Sequence, residues 1–526
     1  MKITRLLYVA LVAVTAVSCN FLDLEPSDSV PYDDYYKTED DLQYAINGVY
    51  RQIASNDVYG DAMQGRMGLC ADLGYCSYAN DLNTIAFNQN STTDLLVLNY
   101  WRRLYNSIKR ANLLLANIDG AEASVEFKDR IRGEALFLRA YAYFMLVNKF
   151  NNIPLVLKVA DDSSPSSTVV EQSPADKVYE RIISDMESAA KLVPEVTEIS
   201  GGGHVNRSAV YGILARVCLT MAGYPLQRTE MYAEAERYAR EVITSGYHSL
   251  NPSYSQIFIN YSQNLYDLKE SIWEIEYYGD NTQYYTAGHV GRNTGIPSAS
   301  DSPIGHCLGM IRSTANHYDM YDATDVRRDW NIGPYSYNED GSHKMLSESD
   351  DKNIRYCAKF RREYEDVVSD SKMPTATAIN FPVLRYADVL LMYAEAHFCN
   401  PDADAARDAE ALECFNMVRR RGHGLDATLP DASVDYVMSS KDEFMSELRD
   451  ERARELAYEM LRRDDLIRWG IYTQQMSFVW GTIPDSSPWK KYADIYFGSI
   501  SSRDRLWPIP SDEMSVDGNL VQNPGW

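Results

Sequence analysis

The clearest pattern along the chain is a helical spacing of apolar residues that comes in pairs of runs. In one pair the apolar positions are Val210, Ile213, Leu214, Val217, Cys218 and Met221, then Tyr232, Ala235, Ala239, Val242 and Ile243. The two runs are separated by Gly223-Tyr224-Pro225, a combination that interrupts helices. Steps of three and four residues on both sides of a short break predict an antiparallel helix pair.

A second pair has the same layout. Its apolar positions are Tyr386, Val389, Leu390, Tyr393, Ala394 and His397 and, after a break at Pro401-Asp402, Leu412, Phe415 and Val418. Further helices are predicted at about 97–118, 127–149, 174–193 and 441–470. Stacked helix hairpins predict a mainly α fold, a tetratricopeptide-like helical-hairpin solenoid with a long, irregular, loop-rich lobe.

Two long stretches lack the helical period. Residues 56–96 and 250–380 are rich in Gly, Ser, Asn, Tyr and Pro, and only Ser271 to Tyr277 alternates like a strand. The triplet Gly201-Gly202-Gly203 is predicted to be a simple connection. Long irregular insertions often carry function, so we expect the binding surface in these two stretches.

The N-terminus has the layout of an export signal. Lys2 and Arg5 precede an apolar run, Leu6 to Val17, and Ala16 and Ser18 lead to Cys19. This predicts a signal peptide over 1–18 and a lipid attached to Cys19, the alternative being an ordinary secretory signal with an incidental cysteine. The run is shorter than the ~20 apolar residues of a membrane-spanning helix, so the anchor would be the lipid.

Charge and cysteine content narrow the classes of partner. Loss of Lys2 and Arg5 with the signal changes the formal net charge from −24 to −26, which argues against nucleic acid as a partner. Seven cysteines remain besides Cys19, and their spacing suggests neither a disulfide scaffold nor zinc. Cys70 and Cys76 could form a bridge, whereas Cys218, Cys399 and Cys414 fall on helical patterns and are expected to be small core residues.

No catalytic motif is present, and the densest charged segment favours a structural role. The sequence contains no phosphate loop, nucleophile elbow, dinucleotide fingerprint or zinc-protease helix. On a continuous helix, Arg452, Glu455, Glu459 and Arg463 would share one stripe beside an apolar face. This predicts an ion-pair ladder that fixes the helix to its neighbours, with a catalytic Glu455 as the alternative.

A series of short landmarks runs through the chain in a fixed order. They are Cys19-Asn-Phe-Leu-Asp-Leu-Glu-Pro26, Trp101-x3-Tyr105-x6-Asn112, Phe137-Leu-Arg-Ala-Tyr141, Ile153-Pro-Leu155, Arg385-Tyr-Ala-Asp-Val-Leu-Leu-Met-Tyr-Ala-Glu-Ala396, Asn416-x2-Arg419, Glu451-Arg452, Glu455-Leu456, Asp465-Leu-Ile-Arg468, Pro508-Ile-Pro510 and Gln522-Asn-Pro-Gly-Trp526. In these landmarks the chain resembles the SusD/RagB family of nutrient-binding outer-membrane lipoproteins. Ala453 and Met460 stand where that family often has Arg and Gly.

The resemblance implies one SusD-like domain over 19–526, held at the outer face of the outer membrane by its lipid. The scaffold would occupy about 97–249 and 381–475, and a C-terminal extension about 476–526. Such proteins act as lids on a SusC-like TonB-dependent transporter, to which they deliver oligosaccharides or, in RagB-type members, peptides. They have no catalytic activity. The landmarks are scaffold residues, so Trp101 is expected in the core.

The ligand residues are sought where aromatic rings and planar hydrogen-bonding groups occur together, because sugars offer both apolar faces and hydroxyls. The candidates are Tyr75, Tyr78, Asn80 and Asp81 in the first insertion, Tyr277, Tyr278, Asn281, Tyr284, Tyr285 and Arg292 in the second, and Trp330, with Asn83, Gln283, His289 and Asn293 beside them. For each tyrosine, packing of its loop onto the solenoid is the alternative. A peptide receptor or a surface glycan hydrolase are the alternative functions. No metal or other cofactor is predicted, and nothing in the sequence indicates calcium.

Overall fold

The computed structural model describes residues 35–67, 71–78, 84–158, 170–278, 287–366 and 375–526. The described helices are α1 Glu39–Ile53, α2 Leu95–Asn117, α3 Val125–Phe150, α4 Ala175–Ala190, α5 Arg207–Ala222, α6 Met231–Thr244, α7 Tyr254–Ser262, α8 Ala315–Asp319, α9 Arg328–Asn331, α10 Tyr386–Cys399, α11 Asp408–Gly422, α12 Lys441–Glu455, α13 Arg462–Arg468, α14 Tyr472–Thr482, α15 Lys490–Gly498 and α16 Ser511–Val516. Within these ranges, no helix is both long and apolar enough to cross a membrane.

Polar caps set where several scaffold helices begin. The Asp94 side chain accepts hydrogen bonds from the Leu96 and Val97 amides at the start of α2, and Ser124 and Asn206 cap α3 and α5 in the same way. These side chains satisfy amides that the first helical turn leaves without partners. Trp101 on α2 is 3% exposed, which confirms its predicted place in the core.

The helices pack as consecutive hairpins. The close pairs are α1 with α2, α2 with α3, α3 with α4, α5 with α6, and α10 with α11, while α10 also packs on α6. Both predicted helix pairs are therefore present and lie against one another. The prediction of a mainly α, hairpin-based solenoid is confirmed.

The helix predicted over 441–470 is in fact two helices. Helix α12 ends at Glu455 and α13 begins at Arg462, with a turn between them. In this turn Tyr458 and Met460 have φ angles of 61° and 65°, the left-handed region that favours glycine. The backbone thus explains why the resembled family often has Gly at the place of Met460, and why the helical spacing was misleading there.

Within the part of the chain that the structure describes, the strands form four antiparallel two-stranded ladders. They are β1 Gly74–Cys76 with β5 Ile311–Ser313, β2 Ile153–Pro154 with β3 Gln172–Ser173, β4 Ser271–Ile275 with β8 Phe381–Arg385, and β6 Tyr335–Tyr337 with β7 His343–Met345. Strand β4 matches the alternating segment predicted from Ser271. The β1–β5 ladder joins the two irregular insertions, which are far apart in sequence.

A group of charged side chains lies where the scaffold meets the second insertion. We call Glu270, Arg327, Arg385, Arg421 and Glu455 the central charge network, and each of these side chains is 0% exposed. Glu455 contacts Arg421 at 2.6 Å, Arg385 at 3.0 Å and Arg327 at 3.2 Å. Burial works to raise the pKa of Glu455, but the three arginines outweigh it and lower the pKa to about 2.

The contacts of this network agree with only part of the predicted ion-pair ladder. Glu455 does fix its helix to neighbouring elements, as expected. Arg452, however, pairs with Asp388 and Asp465 at 2.8 and 2.9 Å, not with another member of its own stripe. The turn after Glu455 breaks the stripe, so the partners come from other elements.

Candidate ligand-binding site

The β1–β5 ladder brings residues of both insertions to one place. Cys76 lies opposite Ile311, and the ladder continues beyond the strands as the Ser77 amide donates to the Met310 carbonyl at 2.8 Å. Met310 also contacts the second insertion elsewhere, because its backbone amide donates to the Asn293 carbonyl at 2.7 Å. Tyr78, next in the chain after Ser77, is thereby placed near Arg292.

A cluster of polar side chains occupies this place. We call it the insertion junction and define it as Asp61, Arg66, Tyr78, His289, Arg292 and Asn293. His289 Nδ1 lies 3.2 Å from Asp61 Oδ2, and the side-chain nitrogen Nδ2 of Asn293 also donates to Asp61. Arg292 Nη1 donates to Asn293 Oδ1 at 2.9 Å. Arg292 and Tyr78 are close enough to interact electrostatically.

The junction is charged and partly open to solvent. The side chains of Asp61 and His289 are 22% and 19% exposed, and those of Arg66, Tyr78 and Arg292 are half-buried. Burial works to raise the pKa of Asp61, but His289, Arg66 and Arg292 outweigh it, so the pKa is lowered. Burial also lowers the pKa of Arg292 from its usual value, which Asp61 partly counteracts.

These groups suit a neutral polyhydroxylated ligand. Guanidinium and amide groups offer several donors and acceptors in one plane, and Tyr78 adds an aromatic face. Among the described residues, no three His, Cys, Asp or Glu side chains gather where they could hold a metal ion. The geometry therefore favours recognition by hydrogen bonding and stacking.

Comparison with known proteins identifies the family. The SusD family matches residues 269–526, and a second family, described as starch-binding associating with outer membrane, matches residues 20–219. The chain belongs to the SusD-like family.

Relatives of this SusD-like chain align over most of its length. SusD-like protein P2 of Formosa agariphila is 25% identical over 543 residues, covering 100% of both chains. The starch-binding protein SusD of Bacteroides thetaiotaomicron is 24% identical and aligns with 81% of this chain and 77% of its own. The crystal structure of a SusD homologue from B. thetaiotaomicron has a TM-score of 0.83 at 27% identity, covering 94% of this chain and 98% of that one.

Three aromatic candidates of the SusD-like chain are packed inside. Tyr75 is 0%, Tyr277 2% and Trp330 8% exposed. Tyr277 donates its hydroxyl hydrogen to the Ala54 carbonyl at 3.0 Å, and Trp330 Nε1 donates to the Lys359 carbonyl at 3.1 Å. The expectation that these rings offer faces to a ligand is therefore wrong, because each ring is covered by its own protein.

The other candidates divide between accessible residues and residues outside the described ranges. Tyr78 and Arg292 meet at the insertion junction, and Tyr278 is 51% exposed. Asn80, Asp81, Asn281, Tyr284, Tyr285, Cys19 and Cys70 lie outside the described residues. Their predicted roles, and a bridge between Cys70 and Cys76, stay predictions.

Two junction residues were missed by sequence reasoning. Asp61 and Arg66 lie just after α1, beside or within the π-helical turn Met63–Met67. They carry no repeat, spacing or motif that distinguishes them from other charged residues. Only the fold, which sets Asp61 against His289 and Arg292 and keeps Arg66 near Asp61, marks them out.

Proposed function

We propose that this protein is a non-catalytic binding protein that captures an oligosaccharide at the insertion junction. The observation that carries the proposal is the meeting of Tyr78, Asp61 and Arg292 on one partly exposed surface built by both insertions. Its relatives support the ligand class, since one family is described as starch-binding and one relative is named for starch binding.

The proposal extends to location and partner. A lipid on Cys19 would hold the chain at the outer membrane, in keeping with the description of the family that matches residues 20–219. From the cell surface the protein would pass its ligand to a SusC-like TonB-dependent transporter. Purification of the full lipoprotein from its own membranes in mild detergent is expected to bring such a barrel with it, and its absence would contradict the partner.

The binding test uses a soluble form that begins after Cys19. Calorimetric titration with a panel of neutral α- and β-glucan oligosaccharides is expected to give heat for at least one. Heat with short peptides alone would favour the RagB-type alternative. Release of shorter sugars during incubation would favour the hydrolase.

Two variants locate the site. Arg292→Ala is expected to weaken binding of the active oligosaccharide at least tenfold, because a hydrogen bond from a charged donor contributes about 1.5–3 kcal/mol. Arg228→Ala is the matched control, since Arg228 is an exposed arginine paired with Glu230 far from the junction. Equal affinity of the two variants, with equal melting temperatures, would place the ligand elsewhere.

A further inference from the structure

A second concave site lies beside the C-terminal half of α1. It is a cleft of about 630 Å³. The residues that line it include Asn47, Tyr50, Asn56, Gly203, His204 and Glu274. This volume is within the ~300–1,000 Å³ of small-molecule sites, and none of the six junction residues lines the cleft.

One wall of the cleft is built by the triplet Gly201-Gly202-Gly203, which is therefore more than the simple connection that its sequence predicts. The Gly203 amide donates to Glu276 Oε1 at 2.8 Å, and the Glu274 amide donates to the Gly202 carbonyl at 3.0 Å. A Cβ atom on Gly202 would lie 2.6 Å from Glu274 Cδ, and one on Gly203 would lie 2.7 Å from Glu276 Cδ. With Glu274 and Glu276 in these positions, only glycine allows the approach, so Gly202 and Gly203 shape the wall.

Helix α1 forms another part of the cleft wall, and hydrogen bonds hold its Tyr50 in place. Tyr50 donates its hydroxyl hydrogen to Glu134 at 2.8 Å and accepts the Val205 amide at 3.1 Å, which fixes its ring. The His204 ring stands 6.0 Å from the Tyr50 ring, edge to face, and its side chain is 49% exposed. The walls thus present two aromatic rings whose positions are set by the protein.

Two of the carboxylates that line the cleft have partners inside the protein. Asp57 pairs with Arg103 at 2.6 Å, and Glu274 accepts from Ser271 and Asn380 at 2.7 and 3.0 Å. The remaining polar groups include the exposed side-chain amides of Asn47 and Asn56.

We propose that this cleft is a second saccharide site, separate from the insertion junction, that takes a short neutral saccharide. The inference rests on the proposed function for its ligand class. The rings of Tyr50 and His204 would contact the apolar face of a sugar, and Asn47 and Asn56 would exchange hydrogen bonds with its hydroxyls.

The test is a calorimetric titration of the soluble chain with the oligosaccharide that binds it and with maltotriose. Two sites are expected. The double variant Asn47→Ala/His204→Ala should lose one of them by at least tenfold, and Arg292→Ala should lose the other. In the Arg292→Ala variant, saturating saccharide should slow hydrogen exchange of the amides at 203–204 and 274–277. Tyr44→Ala, an exposed α1 residue outside the cleft, is the matched control and should bind as the parent does.

The outcomes separate the two proposals. A single site that the double variant leaves unchanged would overturn the cleft and leave the junction intact. Binding that the double variant weakens and Arg292→Ala does not would support the cleft and overturn the junction. No heat with any saccharide would overturn both. Equal melting temperatures show that the variants are folded.

Discussion

The central charge network and the insertion junction both bring arginines to carboxylates, but they differ in their contact with solvent. In the network every side chain is 0% exposed, and Glu455 alone contacts three arginines. In the junction Asp61 is 22% exposed and Arg292 is half-buried. A charge cluster closed off from solvent can only hold the fold together, whereas a partly open cluster can exchange hydrogen bonds with a ligand.

The largest expected loss of stability comes from removing the Glu455 carboxylate from the central charge network. Glu455→Ala leaves Arg327, Arg385 and Arg421 buried without their shared carboxylate, and breaking a buried pair costs about 3–5 kcal/mol. Urea unfolding monitored by circular dichroism measures the loss. Should the alanine variant not fold, Glu455→Gln is expected to unfold at lower urea than the parent. A loss below ~1 kcal/mol for the alanine variant would mean that the network does not hold the scaffold.

Tyr75 and Tyr78 allow a buried and a partly exposed position to be compared within one insertion. Tyr75→Ala empties a fully buried position and is expected to cost about 3–5 kcal/mol of stability. Tyr78→Ala, at the half-buried junction, is expected to cost ~1 kcal/mol and to weaken saccharide binding instead. Thermal denaturation and calorimetry on both variants measure the two quantities. The contrast fails if Tyr75→Ala is as stable as Tyr78→Ala.

Glu274 is a third case, a buried carboxylate that makes no ion pair with any described residue. Burial raises its pKa to about 7, with Glu276 adding to the shift and hydrogen bonds from Ser271 and Asn380 opposing it. In the unfolded chain the pKa is ~4.3, so the folded state binds the proton more tightly. The free energy of unfolding contributed by Glu274 should therefore fall as the pH rises from about 4.5 to 7, by at most ~4 kcal/mol, and level off above pH 7.

The comparison for Glu274 is made against Glu274→Gln, which cannot titrate. The difference in unfolding free energy between parent and variant is expected to change across this pH range in favour of the variant at higher pH. Parallel curves for the two proteins would contradict the raised pKa. Other carboxylates titrate in both proteins, so their contribution cancels in the difference.

The smallest effect is expected at an exposed ion pair. Lys177 and Glu180 are 59% and 54% exposed and lie 2.9 Å apart on α4. Lys177→Ala should leave the urea midpoint of unfolding almost unchanged, and added salt should remove any difference from the parent. A larger change would contradict the conclusion that exposure to solvent, and not ion pairing itself, distinguishes the central charge network from the insertion junction.

The helices were predictable because apolar spacing is a local property of the sequence. Both helix pairs, the core position of Trp101 and the buried Cys218 and Cys414 follow from it. Cys399, by contrast, is partly exposed at the end of α10. The spacing also continues across Tyr458 and Met460, whose left-handed φ angles leave no mark in it. A turn set by backbone conformation is therefore missed.

The site was less predictable, because composition does not say which way a tyrosine faces. Tyr277 and Tyr78 both lie in polar, tyrosine-rich segments. Tyr277 is nevertheless buried and donates to the Ala54 carbonyl, whereas Tyr78 is only half-buried. Asp61 and Arg66 acquire their role from residues more than two hundred positions away. Such contacts are properties of the fold and cannot be obtained from any single segment.

The β1–β5 ladder also has a consequence for the time course of folding. Gly74 pairs with Ser313, so the segment between them, with five long helices inside it, must be synthesised before the ladder can close. Contacts between distant segments form late, because closing a long loop costs chain entropy before any contact compensates for it. A folding intermediate with its helix hairpins already packed would therefore be compact and yet unable to hold a ligand at the junction.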